Sequence, residues 1–285
     1  MLEKELETAI ALARKAGITI LEIYQTDFEV EEKTTKDNQT EPVTIADKIA
    51  SQIIVEGLSQ VFPDDGILSE EEHDHIELRL SKHRVWMIDP IDGTKGFVEK
   101  AGDFAVQIGL IENNEVVLGV VFQPTKNLLY FATKGKGAFM VENECEPIKM
   151  KVSHKTDFNE MTLAVSRSHR SSRMAQINEH FGFKAEFQHG SVGLKVAFLA
   201  RQIADAYIHL SPRTKFWDSA APEIILKEAG GTLTDIFGKK IDYTASDVQN
   251  YNGILATNGI AHDKIVEHLR SLLNKFGRLK VKAKN

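Results

Sequence analysis

Residues 85–97 read Val-Trp-Met-Ile-Asp-Pro-Ile-Asp-Gly-Thr-Lys-Gly-Phe. Four apolar residues suit a buried strand, and the proline and glycine that follow mark its end with a turn. The strand therefore delivers two carboxylates, Asp89 and Asp92, onto a short stiff segment. Gly93 lets backbone approach a ligand closely, and a helix opening near Thr94 would point free N–H groups at an anion. Converging carboxylates suit magnesium, which prefers oxygen ligands in near-octahedral array and leaves positions for water and phosphate. The same residues also satisfy a plain Asp-Pro and Asp-Gly surface turn, and this stretch alone leaves both readings open.

Downstream, residues 104–124 hold two apolar runs separated by Asn113-Asn114, and residues 128–141 hold another pair around a Gly-rich turn, which predicts an antiparallel sheet. Upstream, Leu2, Leu6, Ile10, Ala13 and Leu21 recur at near-helical spacing, as do Ile45, Ile49, Ile53, Ile54, Leu58 and Val61. Between these helices, polar residues 28–42 read as a strand running into a mobile loop. From about residue 150 the pattern changes to strand–helix alternation, through 161–166, 194–204, 205–210, a helix over 219–231 closed by glycines, and a last amphipathic helix over 262–276. The expected organisation is two packed parts, 1–150 with the antiparallel sheet and most metal ligands, and 151–285 as a smaller α/β unit with Asp218 and the substrate residues.

The chain has 285 residues, 42% hydrophobic and 27% charged, which is the composition of a folded globular protein. A formal charge of −6 argues against a nucleic-acid polymer or an anionic membrane as partner. A small phosphorylated substrate then needs local positive charge, for which bound metal is the most direct source. One cysteine excludes an internal disulfide framework and a Cys-based zinc site. With acidic residues early in the N-terminal segment and no run of 18 apolar residues, the chain reads as cytoplasmic.

Three further acidic stretches carry weaker signals. Trp217-Asp218-Ser219-Ala220-Ala221-Pro222 places a carboxylate at a helix start, where Asp is a favoured cap and Pro is tolerated in the first turn; capping and metal binding are compatible. Ser69-Glu70-Glu71-Glu72 reads most simply as a solvated charge run. Thr44 and Asp47 form a capping-box pattern opening the second helix.

Taken together, Asp89–Phe97, Ser69-Glu70-Glu71 and Trp217–Pro222 resemble, in order and separation, the lithium-sensitive inositol monophosphatase superfamily. The resemblance runs from the first helix to Asn252–Asn258. It implies a mixed αβ fold, a layered αβαβα sandwich of the inositol monophosphatase/fructose-1,6-bisphosphatase type. It also implies two or three Mg²⁺ ions held by Glu70, Asp89, the Ile91 carbonyl, Asp92 and Asp218. Asp47 and Thr94 would orient and deprotonate the attacking water, and the Gly93 and Thr94 amides would hold the phosphate. A homodimer and lithium inhibition belong to the same implication.

Lys95-Gly96-Phe97, Glu41–Asp47 and Ser166-Arg167-Ser168-His169 are similar to the 3′(2′),5′-bisphosphate nucleotidase branch, which converts 3′-phosphoadenosine 5′-phosphate to AMP. On that match Ser166, His169 and Lys195 face an adenosine bisphosphate, while Ser191, Arg213 and Lys215 stay unassigned. Where inositol monophosphatases place a glutamate for ring hydroxyls, this chain has His209. The competing expectations are an inositol or sugar phosphatase and a non-catalytic nucleotide or metal sensor.

Overall fold

The computed structural model describes residues 2–34, 40–143, 145–167, 171–278 and 281. Their elements run α1 (Glu3–Tyr24), β1 (Val30–Thr34), β2 (Thr40–Thr44), α2 (Ile45–Val61), β3 (Gly66–Ser69), α3 (Ile76–Ser81), β4 (Arg84–Asp92), α4 (Thr94–Val98), β5 (Ala105–Glu112), β6 (Glu115–Gln123), β7 (Leu128–Thr133), β8 (Gly137–Glu142) and β9 (Ile148–Lys149). They continue with β10 (Thr162–Ser166), α5 (Ser172–Phe181), β11 (Ala185–His189), α6 (Val192–Ala200), β12 (Ala206–His209), α7 (Phe216–Glu228), β13 (Thr232–Thr234), β14 (Ile254–Thr257) and α8 (His262–Lys275).

A seven-stranded sheet follows chain order from β3 to β9, antiparallel except for the β3–β4 pair. A five-stranded mixed sheet has the order β11-β10-β12-β14-β13. Asn113 and Asn114 take positive φ, 50° and 62°, in the two-residue turn joining β5 to β6, the conformation that matches the twist of flanking strands. Of residues 28–42, expected as a strand running into a loop, Val30–Thr34 form the strand β1, and a second strand β2, not expected, pairs with it as a hairpin whose connecting residues lie outside the described ones.

Side-chain alternation along the strands divides the interior into three cores. Trp86 and Ile88 of β4 with Val106, Ile108 and Leu110 of β5 pack on Ala9, Ala13, Ala50 and Ile54 of α1 and α2. Val85 and Met87 point the other way, into a core shared with α6, α7 and the inner face of the second sheet through Ala164 and Tyr207. The outer face of that sheet, Leu163, Val165, Ala206 and Ile208, closes on α5 and α8. The layers are thus helix, sheet, helix, sheet, helix, the sandwich expected from the resemblance.

Helix α7 can lie tight on the first sheet because Gly119 carries no side chain: a Cβ there would sit 2.4 Å from the Ala221 carbonyl oxygen. The helix starts at Phe216, so Asp218 occupies its third position and is not the cap residue. Pro222 accordingly lies in the second turn, where its missing N–H deprives the Asp218 carbonyl of its ordinary helical partner.

Candidate active site

Asp89 stands on the inner face of β4 by the same alternation that places Val85 and Met87 there. On a regular strand Asp92, three residues on, would face the opposite side. The pairing with β5 shifts between them: Asp89 lies opposite Gln107 and Asp92 opposite Ala105, so one strand holds an extra residue. The shift falls between Asp89 and Asp92, a stretch containing Pro90, which has no N–H for the ladder, and it returns Asp92 to the face of Asp89. Asp218 on α7 completes the group, and ligand oxygens of the three carboxylates lie within 4.8 Å of one another.

Burial pushes Asp89 and Asp218 well above the usual carboxylate range, and their acidic neighbours push in the same direction. Asp92 is raised by burial too, against the pull of a donor set at the start of α6. Ser191 Oγ donates to Asp92 Oδ2, Val192 N–H to Oδ1 at 3.0 Å, and Gly193 N–H to Oδ2 at 2.7 Å. The same Ser191 oxygen caps its helix by accepting from Leu194 N–H. Packed acidic oxygens with no cation among them are electrostatically unfavourable, and this all-oxygen donor set fits a hard divalent ion.

Beside the cluster, Thr94 Oγ1 lies 3.3 Å from Asp47 Oδ1 and 3.0 Å from the Ile91 carbonyl oxygen. Asp47 also makes the expected cap, its Oδ2 accepting from Thr44 N–H at 2.8 Å and Thr44 Oγ1 at 2.7 Å. Burial nevertheless pushes Asp47 up to about 7. Glu70, Asp89, Ile91, Gly93, Thr94 and Asp218 line one cavity of about 170 Å³. Glu70 sits at its edge, where Lys33 Nζ reaches it at 2.9 Å and Glu71 at 2.5 Å. Burial disfavours the Lys33 charge, but the two glutamates outweigh it and hold its pKa above the ordinary lysine value.

Ser166 ends β10 beside a separate cavity of about 240 Å³ that also meets His209 and Arg213. Arg213 lines the carboxylate cavity as well, so it borders both. His169 lies outside the described residues. Lys195, expected to face the nucleotide, is instead fully buried, because its Nζ turns inward to donate to the carbonyls of His189 at 3.2 Å and Gly190 at 2.7 Å; burial lowers its pKa to about 8.

The model of the inositol monophosphatase family matches residues 1–274. The chain belongs to that family. The 3′(2′),5′-bisphosphate nucleotidase CysQ of Salmonella typhimurium is 36% identical over 241 residues, covering 84% of this chain and 94% of that relative. Inositol-1-monophosphatase of Bacillus subtilis is 32% identical over 263 residues, 92% of this chain and 94% of that relative. Among solved structures, Thermotoga maritima IMPase superimposes with a TM-score of 0.80 at 30% identity, covering 96% of this chain and 100% of that one. The family shows a phosphatase, with relatives of two differently named activities.

Within this family member, the contacts of Ser191 with Asp92 and of Asp103 with Arg167 were not anticipated from sequence. Ser191 ahead of Val-Gly-Leu carries a legible cap signal, since serine is favoured where an apolar helix begins. Its bond to Asp92, about a hundred residues away in the chain, has no local signature.

Proposed function

We propose that this protein is a Mg²⁺-dependent phosphomonoesterase that hydrolyses 3′-phosphoadenosine 5′-phosphate to AMP and phosphate. The observation that carries the reading is the Asp89, Asp92 and Asp218 cluster beside a hydroxyl–carboxylate pair, Thr94 and Asp47. Similarity to CysQ supports the choice of substrate. So does the cavity at Ser166, His209 and Arg213, which adjoins the centre through Arg213 and offers room and a cation for the nucleotide portion.

Two or three Mg²⁺ ions held by Glu70, Asp89, the Ile91 carbonyl, Asp92 and Asp218 would supply Lewis-acid stabilisation of the phosphoryl group and acidify the attacking water. The chain's own residues do the rest. Thr94 Oγ1 would take a proton from the attacking water as its own passes to Asp47, the carboxylate 3.3 Å away. Gly93 and Thr94 line the wall where backbone amides hold the phosphate oxygens. Ser166 and His169 bind the nucleotide side, and Lys195 acts as a buried counter-charge under Asp92.

Inositol 1-phosphate is the competing substrate, supported by the similarity to the Bacillus subtilis enzyme. His209 weighs against it, because an imidazole does not replace a carboxylate in accepting hydrogen bonds from ring hydroxyls. Phosphate release with Mg²⁺ from the two compounds, by wild type and Asp89→Asn, tests both readings. A preference for the nucleotide, lost by at least about 10³-fold in the variant, is the expected result. A preference for inositol phosphate overturns the substrate assignment, and activity retained by Asp89→Asn overturns the role of the cluster.

A further inference from the structure

Asp103 lies between α4 and β5 and is only 3% exposed. Its carboxylate oxygen Oδ2 accepts from two segments at once, the Arg167 guanidinium and the Gly190 backbone N–H at 2.5 Å. Its carbonyl oxygen accepts from Ser191 N–H at 3.2 Å. Arg167 directly follows Ser166 at the mouth of the second cavity, whereas Ser191, Val192 and Gly193 are the donors that converge on Asp92. One buried acid therefore joins Arg167, at the end of β10, to the turn that aims a candidate metal ligand.

The fit leaves little room for substitutes. A Cβ on Gly190 would stand 2.6 Å from Asp103 Oδ2, so the turn can close on the carboxylate only as glycine. A charge-assisted bond to Arg167 is stronger than a neutral one, and here it is largely shielded from water on the Asp103 side.

We propose that Asp103 is a positioning residue with two separate holds, one on Arg167 next to Ser166 and one on the Gly190–Gly193 turn that orients Asp92. It touches neither substrate nor metal; it acts through Arg167 on substrate affinity and through the Gly190–Gly193 turn on the metal site. This rests on the proposed function in both arms, on its cation site for Mg²⁺ binding and on its phosphomonoester substrate for KM.

The test uses the full chain with Asp103→Asn, Asp103→Ala, Arg167→Met and the Asp103→Asn/Arg167→Met double variant. Each is checked for folding by circular dichroism, and Mg²⁺ binding is measured by calorimetry in the absence of substrate. Asp103→Asn, with its amide oxygen in the place of Oδ2, leaves an acceptor for both Gly190 and Arg167 and removes the charge that Arg167 pairs with. It and Arg167→Met should each raise KM for 3′-phosphoadenosine 5′-phosphate about 10-fold or more with a smaller change in kcat, and the double variant should be no worse than either. Asp103→Ala should weaken Mg²⁺ binding by about 10–100-fold, the range for losing a residue that orients a ligand, while Arg167→Met leaves it unchanged.

Wild-type Mg²⁺ affinity in Asp103→Ala, or effects on KM that multiply in the double variant, would overturn the inference. If Asp103→Ala does not fold, the comparison of Asp103→Asn with Arg167→Met decides. If wild type does not hydrolyse the nucleotide, the substrate reading fails by itself; KM is then read on the phosphomonoester that wild type does turn over, and the Mg²⁺ arm stands unaffected.

Discussion

Thr94 has a single proton and two acceptors within reach, Asp47 Oδ1 and the Ile91 carbonyl. Such a hydroxyl can pass a proton only if a base waits behind it, and the Asp47 carboxylate lies 3.3 Å away. Thr94→Ala should therefore lower kcat by about 10²–10⁴-fold with little effect on KM, and Thr94→Ser should recover much of the loss. Initial rates at saturating Mg²⁺ check this; a kcat for Thr94→Ala within twofold of wild type removes Thr94 from the reaction. At this scale the Thr44–Asp47 cap was legible, because it lies within four residues. The Asp47–Thr94 contact joins α2 to the start of α4 and left no local trace, so only the family resemblance pointed to it.

Among the elements, β4 and α7 decide the geometry. The bulge in β4 turns Asp92 to the side of Asp89, and the contact of α7 with β6 brings Asp218 to meet them. Gly119 permits that contact, since any side chain there meets the Ala221 carbonyl oxygen and Ile224. Gly119→Ala should destabilise the protein by about 1–3 kcal/mol, the usual cost of overpacking, and should lower activity because α7 carries Asp218. Urea unfolding and phosphate release measured on the same preparation test it; an unchanged midpoint would show that α7 has slack against the sheet. The strand and the helix could both be read from apolar periodicity. Their approach could not, because Gly119 within an apolar strand signals only that something comes near.

For the molecule as a whole, the middle core holds more ionisable groups than the site requires. Glu223 on α7 accepts from the Tyr243 hydroxyl at 2.7 Å, and burial pushes its pKa up to about 7. The folded state thus binds this proton more tightly than the unfolded chain, whose glutamate titrates near 4.3. Below that pH both states are protonated and nothing is lost. As pH rises toward and past 7 the unfolded carboxylate ionises first, and stability falls by roughly 2–4 kcal/mol before levelling off. Glu223→Gln keeps an acceptor for Tyr243 and removes the titration, so its stability advantage over wild type in urea should be larger at pH 8.5 than at pH 5. An equal difference at both pH values would show that Glu223 ionises as readily when folded as when unfolded.

Although α3 and α5 went unread, the sequence by itself determined the two N-terminal helices, the β-meander, the helices after residue 190 and, through three short motifs, the family and the acidic residues of the centre. These are local matters of periodicity, turn chemistry and residue type at fixed spacing. The tertiary structure alone decided which side of the sheet Asp92 faces, that Lys33 holds Glu70 and Glu71, that Lys195 lies buried under Asp92, and that Asp103 joins Arg167 to the α6 turn. The physical reason is common to all four. Each depends on groups brought together by packing from distant parts of the chain, where a bulge, a missing Cβ or a shared acceptor decides the contact and no periodic pattern records it.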